Sequence, residues 1–100
     1  MAPSTRDRIL AASLELFNAW GEPHVSTALI ASQLNISEGN LWYHFRTKRD
    51  LVVALFGQLE ERVERNLSRQ PAHGGEDQLA VFTDYLRQGF RDIWDYRFLY

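Results

Sequence analysis

The segment from Ser37 to Phe45 constrains the fold of this chain more than any other part of the sequence. Ser37 is a good N-cap, because its hydroxyl can accept a hydrogen bond from the free backbone N–H groups of a first helical turn. Leu41 and Phe45 stand four residues apart, so they lie on one side of a helix and can be buried together. The other polar and aromatic residues then lie near the helix start or face outward: Gly39, Asn40, Trp42, Tyr43 and His44. This pattern predicts a short helix with one buried side and one exposed side.

Two further helical patterns precede this segment. Apolar residues recur at helical spacing from Thr5 to about Trp20, and Gly21 with Pro23 ends that pattern. A second short helix then follows, with Ser26 or Thr27 as its cap and three inward residues, Ile30, Ala31 and Leu34.

A tight turn separates the second pattern from the third. Asn35 tolerates the left-handed conformation that such a turn requires, and the apolar Ile36 is expected to pack into the core. Two short helices joined in this way within a three-helix cluster predict a helix-turn-helix. The third helix, from Ser37, is then the one presented to the DNA major groove.

Two longer helices follow in the second half of the chain. Thr47 can cap a fourth helix that reaches about Arg69, and a loop follows at residues 71–75. The inward residues of this helix are Leu51, Ala54, Leu55, Leu59, Val63 and Leu67. A fifth helix begins near Glu76 and carries an apolar stripe of Leu79, Phe82, Leu86, Phe90 and Ile93. The acidic residues around Arg62 predict a solvated face with ion pairs along the fourth helix.

The last residues are densely aromatic. Phe98, Leu99 and Tyr100 have no following element to bury them, so we expect them to be exposed. Exposed apolar surface of this kind normally marks an interface, which predicts that the chain is part of a larger protein.

Charge and composition exclude several classes of protein. The net charge is −2, and three cations, Arg46, Lys48 and Arg49, directly follow the third helical pattern, so charge permits nucleic-acid binding without establishing it. The absence of cysteine excludes thiol catalysis, disulfides and cysteine-bound metal. No catalytic arrangement, metal-ligand spacing, signal peptide or membrane-spanning run is visible, so we expect a cytoplasmic protein without enzymatic activity, cofactor or metal.

Several segments resemble the tetracycline-repressor (TetR) family of bacterial transcription regulators. They are residues 8–17 with Gly21, residues 30–31, residues 36–45, and Lys48 with Leu51. Their order and spacing fit over roughly residues 5–60. The resemblance implies an all-α fold, with a homeodomain-like three-helix DNA-binding domain at 1–47. Residues 48–100 would then form a linking helix and the start of a helical ligand-binding and dimerisation domain.

The resemblance also implies which residues contact DNA. Residues placed to contact bases or phosphates are Ser26, Thr27, Ser37, Gly39, Asn40, Trp42, Tyr43, His44 and Lys48. Independent chemistry supports several of these roles, because Asn40 can pair bidentately with adenine and Tyr43 can donate to phosphate oxygens. The alternatives are partial burial of Trp42 and Tyr43, and a helix-end role for His44.

The implied function is a ligand-responsive repressor that binds a near-palindromic double-stranded DNA operator as a homodimer. Aromatic residues of the fifth helix would contact a small-molecule effector, unless they belong to an ordinary core: Phe82, Tyr85, Phe90 and Trp94. Glu38 and Ala28 depart from the family, since basic residues are common at both positions. Together with the acidic balance of the chain, they motivate an alternative, a helical protein-interaction module that has lost DNA binding.

Overall fold

The computed structural model describes residues 2–68 and 78–100, which form five α-helices and no strand. The helices are α1 (Thr5–Trp20), α2 (Thr27–Gln33), α3 (Glu38–His44), α4 (Lys48–Ser68) and α5 (Gln78–Asp95), with 3₁₀ turns at Glu22–His24 and Arg97–Leu99. The all-α prediction is therefore confirmed. The predicted loop at residues 71–75, the end of α4 at Arg69 and the start of α5 at Glu76 lie outside the described residues.

Hydroxyl side chains cap the first four helices. Ser4, Ser26, Ser37 and Thr47 each accept a hydrogen bond from the backbone N–H three residues later, at 3.0–3.1 Å. Each cap contributes about 1 kcal/mol of helix stability relative to alanine. The predicted caps Ser37 and Thr47 are confirmed, and Ser26 is the cap of α2.

Two residues with positive φ make the tight turns. Gly21, with a φ of 86°, ends α1, and its N–H donates to the carbonyl of Phe17 at 2.8 Å. Asn35, with a φ of 55°, turns the chain between α2 and α3, as predicted. Ile36 then packs against the core, and its N–H donates to the carbonyl of Ala31 at 3.1 Å.

Among the described residues, one hydrophobic core joins α1, α2, α3, the first half of α4 and Tyr96, which follows α5. Its buried apolar residues are Ile9, Leu10, Phe17, Val25, Ile30, Ala31, Leu41, Phe45, Leu51, Leu55, Leu59 and Tyr96. The predicted inward residues Val63 and Leu67 of α4 are instead exposed, as are all five residues of the predicted stripe on α5. The core therefore packs against α1, α2 and α3. The C-terminal half of α4 and the apolar stripe of α5 extend beyond it.

The chain end packs back on α1, so the prediction of exposed C-terminal residues is wrong for Phe98 and Leu99. The Phe98 ring lies 5.1 Å from that of Phe17, and Leu99 also packs against the core. The Asn18 amide explains the reversal, because it donates to the carbonyl of Asp95 at 2.7 Å and accepts from the N–H of Phe98 at 3.1 Å. Tyr100 alone of the three is exposed.

An ion-pair cluster joins α4 to the end of α5. The Arg62 guanidinium lies 2.9 Å from the Asp95 carboxylate and 3.7 Å from that of the buried Asp92. The prediction of ion pairs along α4 is therefore wrong for Arg62, which pairs with the neighbouring helix. Beside it, the Tyr96 hydroxyl donates to Gln58 at 3.1 Å, and burial raises the pKa of Tyr96 while the charge of Arg62 opposes the rise.

Candidate nucleic-acid interface

Helix α3 has one buried side and one exposed side. Leu41 is completely buried and Phe45 is 4% exposed, whereas Trp42 is 49% exposed and Tyr43 is 84% exposed. His44 is half-buried, and its ring lies edge-on to that of Tyr43, with 5.1 Å between centroids. The predicted division of this helix is confirmed, and partial burial of Trp42 and Tyr43 in the core is not what the structure shows.

The first turn of α3 is also accessible. Gly39 and Asn40 are exposed, and the Asn40 N–H is held by the Ser37 hydroxyl at 3.0 Å. A Cβ built on Gly39 would meet Ser37 Oγ at 3.8 Å, an ordinary van der Waals contact. The described residues therefore leave room for a side chain at 39, and the glycine keeps the backbone accessible for close approach from outside.

Helices α2 and α3 meet through a polar contact that the sequence did not indicate. The Thr27 hydroxyl donates to Glu38 Oε2 at 3.3 Å, and both residues are half-buried. Glu38 therefore has a partner within the helix-turn-helix, beyond its favourable position at the start of α3. Ser26 and the exposed Ala28 lie on either side of Thr27.

Lys48 lies at the start of α4 and turns its ammonium toward the connection between α1 and α2. Its Nζ donates to the carbonyls of Glu22 at 3.0 Å and Val25 at 3.1 Å, and it pairs with the Glu22 carboxylate at 3.2 Å. Sequence reasoning missed Glu22 as a partner, because 26 positions separate the two residues and no local pattern links them.

Three arginines lie close to the C-terminal end of α3, two of them in the sequence and one in space. Arg46 and Arg49 are exposed, and the Arg6 guanidinium lies 5.2 Å from the centroid of the Phe45 ring. Arg6 was not among the predicted contact residues. This cation–π contact joins the start of α1 to Phe45, the residue that follows α3 and anchors it in the core.

A groove of about 330 Å³ lies between the second half of α4 and the facing side of α5. Of the four predicted ligand-contacting residues, Tyr85 and Phe90 line this groove, and Phe82 and Trp94 do not. Trp94 instead packs under the Arg97 guanidinium, 4.2 Å from its ring centroid. The other lining residues are Leu59, Val63, Asn66, Leu67, Leu86, Gly89, Asp92, Ile93 and Tyr100.

The described residues contain neither a cluster of metal ligands nor a membrane-spanning helix. No group of three or more histidine, aspartate or glutamate residues in the described ranges could hold a metal ion. Among the helices that the structure describes, none is long and apolar enough to cross a membrane.

Comparison with known proteins identifies the family. The family model for bacterial regulatory proteins of the tetR family matches residues 9–55, which include α2, α3 and most of α1. A crystal structure of a TetR-family transcriptional regulator from Marinobacter aquaeolei VT8 superposes with a TM-score of 0.86 at 43% identity, over 96% of this chain and 46% of that one.

Curated relatives agree with this match. The HTH-type transcriptional regulator UidR of Escherichia coli K12 is 35% identical over 85 residues, which are 85% of this chain and 40% of UidR. The tetracycline repressor protein class G of Vibrio anguillarum is 34% identical over 70% of this chain and 34% of its own length. The chain thus spans less than half the length of these relatives, and it belongs to the tetR family of bacterial regulatory proteins.

Proposed function

We propose that this protein is a DNA-binding transcriptional regulator that places α3 in the major groove. The observation that carries the proposal is the division of α3, whose Leu41 is buried in the core while Trp42 and Tyr43 face outward. A major groove is wide enough to admit one α-helix, whose exposed polar tips can then read base edges. The family match over residues 9–55 supports the same function.

Within this proposal, the exposed residues divide into two roles. Asn40 reads a base edge, because a side-chain amide can pair with adenine through one donor and one acceptor. Trp42, Tyr43 and His44 contact bases or phosphates farther along α3. The starts of α2 and α3 contribute free backbone N–H groups to phosphates at Ser26, Thr27, Ser37 and Gly39.

The proposal extends to a homodimeric repressor that acts in the cytoplasm. Two copies of α3 would then lie about one DNA turn apart, roughly 34–36 Å, on a near-palindromic operator. A small-molecule effector would release DNA by preferring a conformation in which this separation differs. The name of the Vibrio anguillarum relative supports a repressor, and the groove beside Tyr85 and Phe90 supports an effector site. We propose the division at residues 47 and 48 as the domain boundary.

The alternative of a protein-interaction module rested on the acidic balance of the chain, on Glu38 and on Ala28. The hydrogen bond from Thr27 gives Glu38 a role in joining α2 to α3, so its presence does not require loss of DNA binding. The exposed aromatic side of α3 is common to both proposals, and only a binding experiment separates them.

Selection of genomic fragments by the whole protein, followed by salt titration of the selected site, tests the proposal. A protein that neutralises several phosphates loses affinity steeply as salt rises. Asn40→Ala should weaken binding to the selected site by about 1–3 kcal/mol and relax its sequence preference. Glu60→Gln, at an exposed position of α4, is the matched control and should leave both unchanged. Salt-independent or absent DNA binding by the unaltered protein would favour the interaction module.

A further inference from the structure

We propose that Lys48 is a positioning residue, which sets the orientation of α2 and α3 relative to α4 and does not bind a phosphate. The proposal rests on the DNA-binding function above and assigns one of its predicted contacts a different role. Four observations carry it, and each concerns contacts among residues of the described structure.

The first observation is that the Lys48 ammonium already has three partners. Two carbonyl oxygens and one carboxylate oxygen lie 3.0–3.2 Å from Nζ, all of them from Glu22 and Val25. A lysine ammonium has three N–H donors and no acceptor. A phosphate could therefore gain a hydrogen bond from Lys48 only by displacing one of these acceptors.

The second observation is where these acceptors lie. The carbonyls of Glu22 and Val25 belong to the short connection between α1 and α2, and Val25 is 1% exposed. Val25 directly precedes Ser26, whose hydroxyl caps α2. Lys48 therefore ties the first residue of α4 to the point where α2 begins.

The third observation extends this link to α3. Thr27, the first residue of α2, donates to Glu38, the first residue of α3. The starts of three helices are thus joined in series, from Lys48 through the connection to Thr27 and then Glu38. A displacement of the start of α4 would strain the two Lys48 hydrogen bonds, which hold the connection that leads into α2.

The fourth observation concerns what lies beside this link. Residues of the C-terminal turn border the same crevice, which has a volume of about 370 Å³ and is lined by Glu22, Arg49, Val52, Phe98 and Leu99. The C-terminal turn is itself bound to α1 through Asn18. The C-terminal turn therefore lies beside Glu22, one of the two residues that hold the Lys48 ammonium.

The two roles for Lys48 predict different salt dependences. Removing a phosphate contact lowers the slope of log K against log salt by about 0.9, so the loss of affinity fades as salt rises. Removing a positioning contact leaves the slope unchanged, and the loss persists at high salt. We expect Lys48→Met to weaken operator binding roughly fivefold or more at every salt concentration. The matched control, Arg46→Met, removes an exposed cation near α3 and should lose affinity mainly at low salt.

Glu22→Gln gives a test in which the two roles predict opposite signs. If charge alone matters, removing an anion near the interface strengthens DNA binding. If Lys48 acts by positioning, the weakened partner loosens the connection and DNA binding becomes weaker. Lys48→Arg keeps the charge but not the compact ammonium geometry, so it should not restore full affinity.

Hydrogen exchange of the α2 and α3 amides separates failure of this proposal from failure of the proposed function. Faster exchange at residues 26–41 in Lys48→Met and Glu22→Gln, at a temperature where both remain folded, supports positioning even if no DNA is bound. A lower salt slope in Lys48→Met, together with tighter binding by Glu22→Gln, would overturn the proposal while leaving DNA binding intact. If Lys48→Met does not fold, the sign of the Glu22→Gln effect decides.

Discussion

Helices α3 and α5 both expose aromatic side chains, but the two helices differ in the residues that they bury. On α3, the exposed Trp42 and Tyr43 stand over Leu41, which is completely buried. On α5, Phe82 is 57% and Phe90 68% exposed, and Asp92 is the helix's one buried residue. Helix α3 is anchored in the core through Leu41, whereas the buried residue of α5 is a carboxylate near its C-terminal end.

The exposed side chains of the two helices also differ in their chemistry. The outward residues of α3 carry amide, phenol, indole and imidazole groups, which can form hydrogen bonds while they face water. The outward stripe of α5 is mainly hydrocarbon, and contiguous apolar surface of that kind marks an interaction site. The α3 surface thus suits a polar partner such as DNA, whereas the α5 surface suits an apolar partner.

The largest effect on the free energy of unfolding should come from truncating Leu41, the buried residue that anchors α3. Leu41→Ala leaves a cavity in the core, so we expect it to cost about 2–5 kcal/mol of unfolding free energy. Phe90→Ser, at an exposed position of α5, should change it by less than about 0.5 kcal/mol. Urea denaturation of the two variants measures the contrast. Comparable losses would show that α5 is supported as firmly as α3.

A smaller effect should come from breaking the link between the two halves. Asn18→Ala removes the amide that joins α1 to Asp95 and Phe98, and it leaves a partly buried N–H and carbonyl without this partner. We expect a loss of about 1–3 kcal/mol. Hydrogen exchange should then increase at residues 95–99 while the α3 amides stay protected. Equal loosening of α3 would contradict the separation of the two regions.

The smallest effect should come from the helix caps and hydroxyls. Ser37→Ala removes the hydroxyl that accepts from the Asn40 N–H, so it should cost about 1 kcal/mol and loosen the first turn of α3. The matched variant on α5 is Thr83→Ala, which removes an exposed hydroxyl bonded to the Leu79 carbonyl within the helix. Because such a bond does not cap a helix end, this variant should be nearly neutral. Thermal denaturation of both variants checks the difference.

Much of the first half of the molecule could be predicted because its signals are local. Ser37 caps α3 through a residue three positions away, and Leu41 and Phe45 share a face because they are four residues apart. Asn35 takes the left-handed conformation by its own preference, whatever the distant chain does. The exposed side of α3 follows directly from these choices.

The second half was predicted less well for the opposite reason. Periodicity located α4 and α5, but it could not tell that Val63 and Leu67 extend past the core. Nor could it tell that Phe98 folds back on Phe17, because 81 positions separate those two rings. The charged residues near Arg62 offered several partners along one helix, and the partner in the structure lies on another.

The sequence by itself determined the helices, their caps, the tight turn and the side of α3 that faces outward, since each depends on residues within one or two helical turns. Tertiary structure decided the partners of Lys48, Arg62 and Asn18, which lie 23–80 positions away along the chain. The physical reason is that a long polar side chain can satisfy its donors with many acceptors, and only the packing of helices selects which acceptor is within reach.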